Sequence, residues 1–153
     1  MTGAAPRRAP LLALALAALV LGAGVYVLDR PGAHFLPPAL ALHAQVLGPA
    51  AAWLPELLHT YALSLLTALA LAPSAATPLL ACSAWWGLES LFELGQHPAL
   101  APRLAGALQA HAPAFAEYFA RGTFDPADLG AIACGALAAF GTLQVAGFCR
   151  SAS

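Results

Sequence analysis

Two glutamates lie one helical turn apart in an apolar part of the chain, within the stretch LESLFELGQHP. Glu89, Glu93 and Gln96 are spaced i, i+4 and i+7, so a helix would carry all three on one face. A glutamate near a helix C-terminus opposes the helix dipole, and ionisable groups within membrane segments are usually functional. This polar face is therefore a candidate site, although structural pairing with His59, Arg121 or a backbone group would also explain it.

Further polar groups are expected near this face. His59 follows the start of another apolar segment, and Asp125 and Asp128 open a later one in the stretch DPADLG. Asp125 can cap that helix, with Pro126 at its first position, so capping alone would also explain the aspartates. The predicted functional pocket comprises His59, Glu89, Glu93, Gln96, Arg121, Asp125 and Asp128. No catalytic residue is assigned.

The chain contains five histidines, and histidine is a common metal ligand. They are His34, His43, His59, His97 and His111, and none is spaced as HxH or HxxxH. Zinc sites commonly use such local pairs. The pattern favours histidines at a membrane surface over a metal centre, and it leaves metal binding by the outer histidines open. No metal and no cofactor are predicted.

Composition indicates a bilayer rather than water as the solvent. Of the 153 residues, 61% are hydrophobic and only 8% are charged, far below the roughly 25% charged residues of soluble domains. The chain has no lysine, and its arginines form no basic stripe, which argues against a nucleic-acid partner. The lipid bilayer is the expected partner, and the residues do not specify an oligomeric state.

Four apolar segments predict an all-α fold. The expected transmembrane helices cover about residues 11–28, 55–72, 78–95 and 126–148 of a single membrane domain, 1–153. Two longer outer loops, 29–54 and 96–124, separate them, and the spacing of leucines and aromatic residues in the latter predicts interfacial helices. A cleaved signal peptide is the alternative for the first segment, but its apolar run is long for one.

Proline, threonine and glycine mark the expected helix ends. Pro55 is expected to start the second helix, Thr77 to cap the third with Pro78 at its first position, and Gly95 to end it in a left-handed conformation. In the fourth helix Ala131, Gly135 and Ala139 form a stripe of small residues. Such a stripe lets another helix approach closely.

The arginines predict an orientation. Arg7 and Arg8 directly precede the first segment, so both termini are expected on the cytoplasmic side of the membrane. With four spans, the start of the second, the end of the third and the start of the fourth then lie at the outer face. This topology would bring the residues of the predicted pocket together.

Three stretches resemble the VanZ-like family of small bacterial membrane proteins, named after a teicoplanin-resistance accessory factor. They are LPELLHTYALSLLTALAL, WGLESLFELGQ and RGTFDPADLGAIACGALAAF, and the resemblance covers roughly residues 50–147. Pro55 and Glu56 replace the family's Asp-Lys pair, and Ile132 replaces an asparagine, so the resemblance implies a divergent member. It implies importance for His59, Glu93, Gln96, Arg121, Asp125, Asp128 and Gly135.

Three alternative functions are consistent with these residues. The first is an envelope protein whose outer pocket binds a lipid-linked or cell-wall ligand, with Arg103 and Arg121 contacting a phosphate head group. The second is a membrane-embedded enzyme with His59 as general base, Glu93 or Asp128 as acid or orienter, and water as nucleophile. The third is a non-catalytic scaffold in which the polar groups hold three helices together.

Overall fold

The computed structural model describes residues 8–29 and 46–147, which form helices and no strands. The predicted all-α class is therefore confirmed. Arg7, Arg30, His34, His43 and the expected end of the last span at 148 lie outside the described residues. The helices are α1 (Arg8–Asp29), α2 (Ala50–Ala70), α3 (Thr77–Gly95), α4 (Ala101–Leu108), α5 (Pro113–Arg121) and α6 (Pro126–Val145).

Two of the helices, α1 and α6, are long and apolar enough to cross a bilayer. Their 22 and 20 residues correspond to roughly 33 Å and 30 Å of helix. Large apolar side chains of α1 remain uncovered by the rest of the protein, with Val20 71% and Leu21 62% exposed. These helices indicate association with a membrane, whereas the arrangement with four spans stays a prediction.

The helix α2 lies at the centre of the bundle. It contacts α1, α3 and α6, and α3 also contacts α6. Their shared apolar core combines the N-terminal parts of α1 and α3 with the C-terminal parts of α2 and α6. Long helices that follow one another in the chain therefore run in opposite directions, and α2 and α6 run parallel to each other. Its buried members are Leu11, Ala15, Leu65, Ala68, Ala81, Cys82, Ala136, Ala139 and Leu143.

The small-residue stripe of α6 faces α2. Ala131, Gly135 and Ala139 are all buried. A Cβ atom at Gly135 would collide with the carbonyl oxygen of Leu57 and lie 3.1 Å from the Cβ of Thr60. The absence of a side chain at Gly135 therefore allows the backbones of α2 and α6 to approach closely.

The start of α2 differs from the expectation. The helix begins at Ala50, and Pro55 lies buried inside it. Gly48, with φ of +53°, and Pro49 form the turn that precedes the first helical residue. An internal proline removes one backbone hydrogen bond but does not prevent helix on its N-terminal side here. The predicted start at Pro55 is wrong, because a proline can also lie inside a helix, as it does here.

Both expected ends of α3 also need correction. Thr77 is its first helical residue rather than its cap. The Thr77 hydroxyl donates to the carbonyl oxygen of Ala72 at 2.7 Å, and this hydrogen bond stabilises the turn after α2. Gly95 is not left-handed, since among the described glycines only Gly48 and Gly147 have a positive φ. Instead, a Cβ at Gly95 would press on the ring of Phe119.

The start of α6 agrees with the sequence. Asp125 is the N-cap, its side chain accepts a hydrogen bond from Ala127 N at 2.9 Å, and Asp128 lies in the first turn. The predicted helices of the loop 96–124 are α4 and α5, which pack against each other. Phe119 of α5 stacks on Phe92 of α3 with ring centroids 5.8 Å apart, so the α4–α5 hairpin rests on the end of α3.

Candidate functional site

A cavity of about 1590 Å³ lies at the end of the bundle opposite the apolar core. The C-terminal parts of α1 and α3, the N-terminal parts of α2 and α6, and the helix α5 form its walls. Of the predicted pocket residues, His59, Glu89, Glu93, Gln96, Arg121 and Asp128 line it. Asp125 does not, because it caps α6. The structure thus brings six candidates to one cavity, while their functional role stays a prediction.

Glu89 is held between two residues of α2. The Thr60 hydroxyl, which is fully buried, lies within hydrogen-bonding reach of Glu89 Oε2 and 2.8 Å from the Glu56 carbonyl oxygen. The other oxygen, Oε1, is 3.6 Å from His59 Nδ1. The side chain of His59 is 59% exposed and that of Glu89 is 15% exposed. His59 is therefore the accessible member of the pair, and Glu89 is the anchored one.

Glu93 has a different environment one turn later. It is buried, and its Oε1 accepts a hydrogen bond from the backbone N–H of Asp125 at 2.7 Å. A carboxylate at a helix N-terminus is stabilised by the helix dipole and by unpaired amides. Glu93 thus joins the end of α3 to the start of α6. Pairing with a backbone group was one interpretation of this polar face, but the sequence did not specify the amide of Asp125, because every helix start presents unpaired N–H groups.

Aromatic residues line the cavity where α3 meets α5. Phe92 contacts Tyr118 edge-on, with ring centroids 5.7 Å apart, and Gln96 Nε2 donates to the Tyr118 hydroxyl at 2.7 Å. Burial raises the pKa of the Tyr118 phenol, and the nearby Glu93 adds to this shift. Tyr118 therefore remains protonated at neutral pH. It was absent from the sequence-based candidates, although the aromatic residues of the loop were noted.

Of the two arginines expected to contact a phosphate head group, only Arg121 lines the cavity. Its Nη2 is 3.0 Å from Glu117 Oε1 in an exposed ion pair one helical turn apart. Arg103 lies on α4 and is not part of the cavity wall. An exposed ion pair contributes little to stability. The pair does, however, place the Glu117 carboxylate beside the Arg121 guanidinium, which is the group that a phosphate would contact.

The opposite wall is apolar and comes mainly from α1. Ala18, Leu19, Gly22 and Ala23 line the cavity there, and Tyr26 lies one turn further on. Among the described residues α1 packs extensively only on α2, so the cavity extends into the space between α1 and α3. The cavity therefore combines a polar wall with a wall of small apolar side chains. Sequence patterning did not assign α1 to the site.

Within residues 8–29 and 46–147, no group of three or more His, Cys, Asp or Glu side chains is arranged to hold a metal ion. The polar groups of the described cavity wall are carboxyl groups, an imidazole, a side-chain amide, two phenols, a hydroxyl, an indole and a guanidinium.

Comparison with family models, curated proteins and solved structures gives no match. The VanZ-like resemblance thus rests on the three sequence stretches alone. Function has to be argued from the cavity.

Proposed function

We propose that this chain is a multi-pass membrane protein that binds an amphiphilic ligand, of the lipid-linked or cell-wall precursor kind, in the cavity between α1, α2, α3 and α6. One observation carries the proposal. The same cavity has hydrogen-bonding groups at Glu89, His59 and Gln96 and an apolar wall at Ala18, Gly22 and neighbouring residues of α1. A ligand with a polar head and a hydrocarbon part matches both walls.

Helix lengths and exposed side chains support four spans. The 21 residues of α2 and 19 of α3 correspond to roughly 31 Å and 28 Å of helix, close to the hydrocarbon thickness of a bilayer. Leu79, Leu80 and Leu91 of α3 are strongly exposed on the isolated chain. Lipid would cover these side chains if α3 crosses the membrane with α1 and α6.

The proposed location is a bacterial plasma membrane with both termini in the cytoplasm. Arg7 and Arg8 before α1 support this orientation through the excess of positive charge on the cytoplasmic side. The cavity then opens near the outer interface, where a head group and its hydrocarbon chain are both available.

Matched tryptophan substitutions on α1 test the binding function. Ala23 lines the cavity, and Ala17 is exposed on the same helix away from it. We expect Ala23→Trp to obstruct the cavity at its apolar wall and to lose the ligand that copurifies with the protein in nanodiscs, measured by mass spectrometry of extracted lipids. Ala17→Trp should retain it. Equal lipid content in the wild type and both variants would reject ligand binding and favour a scaffold.

A membrane-embedded acid–base enzyme is the second candidate. The 3.6 Å approach of His59 Nδ1 to Glu89 Oε1 favours it, since a carboxylate beside an imidazole can orient it and stabilise its cationic form. Purified protein would then convert a component of a lipid extract, and His59→Gln would abolish conversion while retaining the ligand. Equal conversion by His59→Gln and the wild type would exclude His59 as the base.

A further inference from the structure

We propose that the head group bound in this cavity carries a primary ammonium group and that the cavity selects against anionic head groups. This inference rests on the proposed function, because it specifies the ligand of the same cavity. It reverses the expectation of a phosphate contact.

The charges on the cavity wall supply the first argument. Carboxyl groups from four helices line it, namely Glu56 of α2, Glu89 and Glu93 of α3, Glu117 of α5, and Asp128 of α6. Among the lining residues that the structure describes, the one arginine is Arg121, which is already paired with Glu117. Like charges brought together at an interface strongly disfavour a partner, and a low dielectric increases the effect. An anionic head group would meet this repulsion.

The hydrogen-bonding state of Glu89 supplies the second argument. Its Oε2 is within reach of the Thr60 hydroxyl, whereas the buried Oε1 has no hydrogen-bond donor among the described residues. A buried acceptor without a donor is costly and rare in folded proteins. A primary ammonium offers three donors and would satisfy Oε1. Glu93 is less available, because Asp125 N already donates to its Oε1.

The aromatic residues supply the third argument. Trp85, Phe92 and Tyr118 line the cavity together with Glu89. The faces of aromatic rings attract cations through the ring quadrupole, most strongly where water is excluded. Aromatic rings and a carboxylate on one wall are therefore a suitable environment for an organic ammonium, while the small residues of α1 accommodate its hydrocarbon chain.

Three probes with the same hydrocarbon chain test the inference: decylamine, decanol and decyl phosphate. The full-length protein is placed in phosphatidylcholine nanodiscs, with Trp53→Phe and Trp86→Phe so that Trp85 reports on the cavity. Probe concentrations are corrected for partitioning into empty nanodiscs. We expect decylamine to bind about tenfold or more tightly than decyl phosphate, as a charge-assisted hydrogen bond would produce.

Charge-neutralising variants identify the anchor. Glu89→Gln should weaken decylamine binding by about tenfold and leave decanol binding unchanged. Asp29→Asn makes the same change in net charge away from the cavity, so it should leave both unchanged. Thermal unfolding of each variant in nanodiscs establishes that it is folded.

The outcomes separate the two proposals. If decyl phosphate binds as tightly as decylamine and Ala23→Trp blocks both, the cavity binds amphiphiles and the ammonium inference is wrong. If no probe binds in a manner sensitive to Ala23→Trp, the binding function itself is wrong. Equal decylamine affinities for Glu89→Gln and Asp29→Asn would remove Glu89 as the anchor and overturn the inference.

Discussion

Glu89 and Glu93 share a helix face but have different partners. Glu89 is held by Thr60 and approaches His59 beside the cavity, whereas Glu93 accepts a backbone hydrogen bond at the start of α6. The periodicity of α3 predicted their common face, but it contains no information on which helix each side chain meets. Glu89 is therefore the candidate for ligand contact, whereas Glu93 makes a structural contact between α3 and the start of α6.

Substitutions of Glu93 test this division. Glu93→Gln keeps an oxygen that can accept from Asp125 N, so we expect its unfolding temperature to remain close to that of the wild type. Glu93→Met keeps a similar size but removes the acceptor, and the lost hydrogen bond should lower the free energy of unfolding by about 1–3 kcal/mol. Thermal unfolding in detergent measures both. Equal stability of the two variants would show that the contact between α3 and α6 does not depend on this acceptor.

At the scale of elements, the contact between α2 and α6 depends on the small residue at their crossing. Gly135 lies against the backbone of α2 at Leu57, and Thr60, the residue that holds Glu89, is next to it. The position of α6 and the polar wall of the cavity are therefore coupled. The sequence predicted that the stripe would pack against a helix but did not specify α2.

Two glycine substitutions on α6 should have opposite effects. Gly135→Ala places a methyl group against the Leu57 carbonyl and should destabilise the protein by about 1–3 kcal/mol through overpacking. A Cβ at Gly141 meets no heavy atom within 4 Å, so Gly141→Ala should be stabilising by up to about 1 kcal/mol through helix propensity. Denaturation midpoints of the purified variants measure these changes. A stabilising Gly135→Ala would contradict the close approach of the two helices.

For the whole molecule, alternating helix directions bring four helix ends to one cavity. If all four long helices cross the membrane, this alternation predicts both termini on one side and the α4–α5 hairpin on the other. Arg7 and Arg8 favour the cytoplasm for the side of the termini. Reporter fusions after residues 75, 110 and 153 should then report cytoplasmic, external and cytoplasmic positions. A cytoplasmic signal at residue 110 would overturn the topology.

The sequence alone determined the features that depend on neighbouring residues. Apolar run lengths predicted the all-α class, and Asp125 followed by Pro126 predicted the start of α6, because a cap acts on amides of its own first turn. Only the tertiary structure decided the partners of Glu89 and Glu93, the packing of Phe119 on Gly95 and the contribution of α1 to the cavity. These contacts join residues distant in the chain, and helix periodicity specifies a face but not the neighbour that covers it.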